Sequence, residues 1–347
     1  MSLKKLNTLF IVAVMACLAL SCKKDDDTTY TPALEGLKFS CPEFVAPEST
    51  ITFKPGGVEH PDGKGVGYYW KVTPTMSRTD TTRLENGLSL EGKESDGSFT
   101  FTFSDTLKTY TVIGFAFAEG YSGNSCTREV TVVEGGRYGS ITNTAIAFNS
   151  PSVNVGGINY PYINIGGLDW MQVNIADPAA GVAYKNYDIT SDVFGRYYSY
   201  EEAKTVCPEG WRLPTDAELV SLCEQFGGVA ESEYSVVGGV AAKLFADAYF
   251  NGEPMLEYWP EVGDVSNESK LALIPVGYSN MGTKGNDDSY GSAMFDGMNK
   301  YAVIWTADMV EGSSDLAYYR YVIDNQSDMF IGKGDVKSFG ASVRCVR

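Results

Sequence analysis

The chain has 347 residues, enough for two ordinary domains with a core each. Its 44% hydrophobic and 20% charged residues exclude a disordered, collagen-like or coiled-coil chain. With 44 acidic against 27 basic residues the formal charge is -17, which excludes a nucleic-acid partner, because affinity for phosphate rests on basic patches.

Lys4 and Lys5 precede an unbroken apolar run from Leu9 to Leu20, 12 residues long. A spanning helix needs about 20, so residues 1–21 read as an export signal. Leu18-Ala19-Leu20-Ser21-Cys22 resembles a bacterial lipobox. That resemblance implies cleavage before Cys22 and acylation of its sulfur. Acyl chains contribute about 0.8 kcal/mol per buried methylene and anchor a protein without a span. Residues 22–33 form a polar tether, too poor in apolar side chains to order itself. Its segment Lys23-Lys24-Asp25-Asp26-Asp27 resembles the surface-export signal of Bacteroidota lipoproteins. The location implied is the outer membrane, facing the cell exterior. Losing Lys4 and Lys5 takes the charge from -17 to -19, which favours solubility.

Of seven cysteines, Cys17 leaves with the signal and Cys22 is acylated. Cys41, Cys126, Cys207, Cys223 and Cys345 remain in an oxidising compartment, and an odd number leaves one free. Cys41 with Cys126 is the simplest pairing in the first domain, closing it near its two ends. Cys207 pairs with Cys345 in the second, because Cys223 falls on the buried stripe of a helix. Loops of this length each stabilise by about 4 kcal/mol.

Residues 34–135 read as an all-β sandwich. β-rich runs at 37–40, 50–53, 68–72, 99–103, 110–117 and 128–133 alternate with turns such as Pro55-Gly56-Gly57 and Pro61-Asp62-Gly63. Trp70 and the segment around Tyr110 resemble immunoglobulin-like and PKD-type domains, in which such residues are core and corner. The expected role is a spacer. His60 is the single histidine, so multi-imidazole metal sites and triads have little to build on; it is expected on an exposed loop.

Glu134-Gly135-Gly136 ends that pattern, and residues 136–347 form the second domain. Ser199 with Glu202 and Thr215 with Glu218 are capping boxes that open two helices, the first to about Val206, the second to Gly227-Gly228. Leu219, Leu222, Cys223 and Phe226 form one buried stripe on the second. A third helical pattern runs from about Val240 to Phe250.

Four segments then carry a specific resemblance: Gly167 to Asn174 around Trp170, Gly195 to Ala203, Cys207-Pro208-Glu209-Gly210-Trp211-Arg212-Leu213-Pro214-Thr215, and Ser342-Val343-Arg344-Cys345-Val346. Together with Trp305, their order and spacing resemble the Fibrobacter succinogenes major paralogous (FISUMP) domain from about residue 150 onward. The resemblance implies an α+β, C-type lectin-like fold with two helices, a disulfide from the first helix region to the last strand, and a long irregular loop region. Trp170, Trp211, Arg212, Pro214 and Trp305 are read as fold signatures: rings that pack, an arginine that bonds carbonyls or a carboxylate, a proline ahead of the N-cap Thr215.

Sugar-binding members of the wider lectin fold hold calcium with Glu-Pro-Asn or Gln-Pro-Asp and Trp-Asn-Asp. This chain has Glu253-Pro254-Met255 and Trp305-Thr306-Ala307, which removes oxygen ligands that calcium requires. No metal or other cofactor is expected. The region 251–301 is the expected ligand site, where Tyr258, Trp259, Tyr278, Asn280, Asn286, Asp287, Asp288 and Tyr290 combine aromatic faces with short polar groups. No phosphate loop, His/Cys metal set or nucleophile elbow occurs, and no catalytic residue is assigned. Formylglycine-generating enzymes share the wider fold and use paired cysteines with copper, whereas only Cys223 is unpaired here. The expected function is a surface-anchored lipoprotein that binds a glycan or protein, as an adhesin or pilus-associated subunit. The alternative is a structural envelope component without a specific ligand.

Overall fold

The computed structural model describes residues 31–75, 90–92, 96–104, 108–133, 150–231, 236–252, 257–262, 264–282 and 293–347. The export signal, Cys22, the Glu134-Gly135-Gly136 boundary, Asn286, Asp287, Asp288 and Tyr290 lie outside these residues.

The N-terminal unit contains β1 (Phe44–Val45), β2 (Thr50–Phe53), β3 (Gly67–Pro74), β4 (Leu90–Gly92), β5 (Phe99–Thr102), β6 (Thr109–Phe117) and β7 (Asn124–Val132). They form a five-stranded sheet, β1-β7-β6-β3-β4, and a two-stranded sheet of β2 with β5. Alternation sets the faces: on β5, Phe99 and Phe101 are buried while Thr100 and Thr102 are exposed. Inward rings from both sheets, among them Phe53, Trp70, Phe101, Phe103 and Tyr110, fill one core. The Trp70 indole N–H, buried with its ring, donates to the Gly97 carbonyl at 2.8 Å.

Three details differ from expectation. Residues 37–40 form only an isolated bridge, Lys38 with Gly56, not a strand. His60 is buried rather than exposed, its Nδ1 accepting from the Asp62 N–H at 3.0 Å and its ring set edge-on to Tyr121 at 4.8 Å. Cys41 and Cys126 carry free thiols beside the same core instead of a disulfide. β1 runs parallel to β7 with Phe44 opposite Thr131. Extending that register sets Cys41 level with Arg128, past Cys126.

The C-terminal unit is β-rich with short helices. Its elements are β8 (Ser152–Val155), β9 (Ile158–Ile165), β10 (Leu168–Met171), α1 (Ser191–Phe194), α2 (Tyr200–Val206), α3 (Asp216–Gln225), β11 (Val229–Glu231), β12 (Val236–Gly238), α4 (Ala241–Leu244), β13 (Tyr278–Asn280), β14 (Met294–Asp296), β15 (Tyr301–Met309), β16 (Leu316–Ile323), β17 (Met329–Asp335) and β18 (Phe339–Gly340). The sheets run β10-β9-β8, β11-β12-β17-β16-β15 and β14-β13-β18. Both capping boxes form at α2 and α3, and Gly227, at φ 81, lets the chain leave α3. Among the described residues no helix is long and apolar enough to cross a membrane.

The third helix is shorter than its sequence pattern. α4 is only Ala241–Leu244, because Phe245 turns to extended backbone, bridges Leu273 and stacks on Trp259 with ring centroids 3.8 Å apart. Tertiary pairing outweighs the local helical preference there.

The last residues close the unit on its own beginning. The Met171 N–H donates to Cys345 O, the Ile175 N–H donates to Val343 O, and Arg212 and Val346 exchange two backbone hydrogen bonds. Cys207, just after α2, is bonded to Cys345. The two units also share an interface. Val133 is fully buried in the larger C-terminal core, with Phe44 packed against that core.

Candidate functional site

The β15–β16–β17 sheet has two unlike faces. On one, Ala302, Ile304, Arg320, Val322 and Met329 lie under α3, with Arg320 making a bidentate ion pair to Asp216 at 2.6 and 2.9 Å. On the other, cross-strand register aligns Val303, Tyr321 and Phe330, then Trp305, Tyr319 and Gly332, then Ala317 and Gly334. Buried Trp305 forms the floor of this second face, its indole N–H donating to Tyr198 O at 2.8 Å.

Above that floor lies a connected set of half-buried rings. Tyr278 stacks on Phe339 at 5.6 Å, Phe339 stacks on Tyr319 at 4.6 Å, Tyr319 meets Tyr321 at 5.8 Å, and Tyr321 stacks on Phe330 at 5.4 Å. Tyr301 closes the circuit, 6.1 Å from Tyr278 and 6.3 Å from Tyr321. Two glycines make room for it. A Cβ at Gly332 would lie 2.2 Å from the Tyr319 ring, and one at Gly334 would lie 2.6 Å from Phe339 and 2.7 Å from Trp305. Bare backbone on β17 therefore lets the rings lie down against the strand.

The polar groups sit at the edge. The Tyr278 hydroxyl donates to Asp296 Oδ2 at 3.1 Å, and the Lys300 ammonium lies 5.2 Å from the Tyr301 ring centroid. Among the described residues, the hydroxyls of Tyr301, Tyr319 and Tyr321 make no hydrogen bond. Burial, then the neighbouring phenol, raises the Tyr319 and Tyr321 hydroxyls above their ordinary value, so both stay protonated donors at neutral pH. Phenol hydroxyls on pre-placed rings suit recognition.

Two of the sequence-predicted ligand residues belong here. Tyr278 is part of the circuit, and exposed Asn280 lies on the same small sheet, paired with Phe339. Tyr258 and Trp259 do not belong. Trp259 is fully buried, stacked on Phe245 and donating to Leu273 O at 2.8 Å, and Tyr258 is buried with its hydroxyl unpartnered. Their aromatic character serves the core, because the chain around them packs inward between α4 and Leu273. Tyr319, Tyr321, Phe330 and Phe339 were missed. Their signal was period-two aromatics on one strand facing Gly-x-Gly on the next.

The motif residues take structural places. Trp170 is buried in one core and Trp211 in the other. Arg212 holds Glu218 through its two terminal guanidinium nitrogens at 2.8 and 2.6 Å, and Pro214 O accepts from the Ala307 N–H at 2.7 Å. The Cys223 sulfur is buried 3.6 Å from Met329 Sδ, and burial pushes its thiol up to about 12. It is a packing residue, protonated at neutral pH. Among the described residues no group of three or more His, Cys, Asp or Glu is placed to hold a metal.

Comparison with curated proteins gives no match. One solved structure, the adhesin InvE of Yersinia pseudotuberculosis, aligns over 90% of this chain and 70% of its own at 10% identity, with a TM-score of 0.24, too low to define a common fold. Residues 163–347, which hold α2, α3, the Cys207–Cys345 bond and the aromatic face, match the Fibrobacter succinogenes major domain, and the chain belongs to that family.

Proposed function

We propose that this protein is a surface-anchored binding lipoprotein, an adhesin or pilus-associated subunit, whose C-terminal domain engages an extracellular glycan or protein. In this reading Cys22 carries the acyl anchor at the outer membrane, facing the cell exterior. Residues 34–135 are an immunoglobulin/PKD-like mount, and residues 136–347 form a C-type lectin-like head that works without calcium. The observation that carries the reading is the half-exposed circuit of Tyr278, Tyr301, Tyr319, Tyr321 and Phe339, in which the hydroxyls of Tyr301, Tyr319 and Tyr321 make no hydrogen bond among the described residues. Rings fixed by one another lose little freedom when a ligand arrives, which favours binding.

The test is an array of glycans and extracellular matrix proteins, probed with the chain in calcium and in chelator. The expected result is a specific hit that survives chelation and is lost in the Tyr319→Ala/Tyr321→Ala double variant. A hit retained by that variant places binding elsewhere, and silence across the array favours a purely structural envelope role.

A further inference from the structure

The N-terminal sandwich has two ends, about 30 Å apart along the nine residues of β7. At one end Glu43, Phe44 and Val132 meet the C-terminal unit. At the other, β6 turns into β7, and the N-terminal segment enters the fold beside that turn. The Ser122 N–H donates to Pro32 O at 2.9 Å, and the Leu34 N–H donates to Ser122 O at 2.8 Å. A tether that starts at Cys22 therefore joins the sandwich at the end away from the C-terminal unit.

Large apolar side chains meet solvent at this same end. On the outer face of the five-stranded sheet, register sets Phe115 of β6 opposite Tyr69 of β3, and Phe117 opposite Gly67. Phe115 is 36% exposed and Phe117 51%. The Phe115 ring tilts against Tyr69 with centroids 5.7 Å apart. The Phe117 ring lies across Gly67, where a Cβ would come within 2.5 Å of it. Bare backbone on β3 thus lets that ring lie against the strand with half its surface in solvent.

The size of this patch selects its occupant. At about 200 Å² for a whole side chain, the open parts of Phe115 and Phe117 come to roughly 200 Å² together. Each partner in a stable protein pair contributes about 800 Å². A contact this small is populated only when its partner is already held beside it. Nine peptide links separate Cys22 from Thr31, where the described chain begins. Their reach at full extension is about 30 Å. An acyl chain on Cys22 therefore holds a lipid surface next to these rings and makes the encounter intramolecular. Aromatic side chains settle at the boundary between headgroups and acyl chains. Resting on the acylated Cys22 of the function proposed above, we propose that the face of Tyr69, Phe115 and Phe117 seats the sandwich in the headgroup region of the membrane that holds the anchor.

The test places the acylated chain in phosphatidylcholine vesicles with plain or brominated acyl chains and follows tryptophan emission. The five native tryptophans are buried, so the parent supplies the baseline. Emission added by Phe117→Trp should fall roughly twofold in brominated vesicles, because a side chain at the headgroup boundary meets the bromines. Emission added by Val229→Trp, at a 67% exposed position of the C-terminal unit, should not change. A second measurement leaves the face intact: amide hydrogen exchange over residues 115–123 should be about threefold slower or more in the vesicle-bound parent than in the Cys22→Ser chain in solution. If the chain floats with the vesicles but Phe117→Trp is not quenched and exchange is unchanged, the inference fails while the anchor stands. Equal quenching of Phe117→Trp and Val229→Trp also overturns it. Protection of residues 115–123 in Cys22→Ser that rises with protein concentration assigns the face to a second copy instead. If the chain does not float, the anchor and the inference fall together.

Discussion

Arg344 takes a charge into the centre of the C-terminal unit with no carboxylate among its described partners. Its guanidinium donates instead to Asn174 Oδ1 at 2.6 Å and to the carbonyls of Met171, Leu271 and Ala272 at 3.2, 2.8 and 3.0 Å. Burial pulls it down to about 9, still protonated at neutral pH. A planar fork satisfies several carbonyls at once, and a lysine would not reproduce it. Arg212 works at the surface. Its hydrogen bonds, above all, hold the Glu218 carboxyl down from 4.5 to about 2. A carboxyl that is the stronger acid when folded contributes stability above its ordinary value, and that contribution is lost as pH falls from 4.5 toward about 2. Both side chains are partly exposed, so it amounts to less than about 1 kcal/mol. Urea unfolding of Arg212→Met across this window should show a flatter fall of stability with acid than the parent; parallel curves would show that the pair is silent.

At the scale of elements, capping fixes where α2 and α3 begin, and tertiary pairing decides how far α4 runs. α2 and α3 each start on their reciprocal box, with Ser199 bonding Glu202 and Thr215 bonding Glu218. α4 lacks a side-chain cap and stops after one turn. The bond between Cys207 and Cys345 spans 138 residues and fastens the end of α2 to the closing segment. Long loops lose the most denatured-state entropy when closed, so reduction should cost roughly 4 kcal/mol. Thermal melts with and without reductant measure this, and a melting temperature unmoved by reductant would mean that the backbone bonds of Met171, Arg212 and Val346 hold the segment unaided. The aromatic face depends on two strands together: β16 supplies Tyr319 and Tyr321, while β17 supplies the vacant positions at Gly332 and Gly334.

Over the whole molecule, the N-terminal unit is docked as well as linked. Phe44 sets its ring edge against Tyr184 and Tyr187, Glu43 pairs with Lys185, and the Asn251 amide donates to Val132 O at 2.9 Å. The two units should therefore unfold in one calorimetric transition. Phe44→Ala, which removes roughly 2 kcal/mol of packing, should split it into two. A single transition in the variant, or two in the parent, would contradict the coupling.

Much of this was legible along the chain. Capping boxes, the buried stripe of α3 and the alternation of Phe99 and Phe101 follow from local periodicity, and the Cys207–Cys345 pairing from Cys223 lying on that stripe, whereas counting alone also paired Cys41 with Cys126, which are free. The family was written in one long string from Cys207 to Thr215. The aromatic face was only half legible. Aromatic and amide groups standing together in a loop region pointed to Tyr278 and Asn280, which lie at the aromatic face, and by the same reasoning to Trp259 and Tyr258, which lie in the core. The sequence by itself determined the alternation of the strands, the capped starts of α2 and α3 and the family. Only the tertiary structure decided which aromatics are buried and which face solvent, because that depends on register between strands far apart in the chain, and on two glycines whose missing side chains no local pattern assigns to Tyr319 and Phe339.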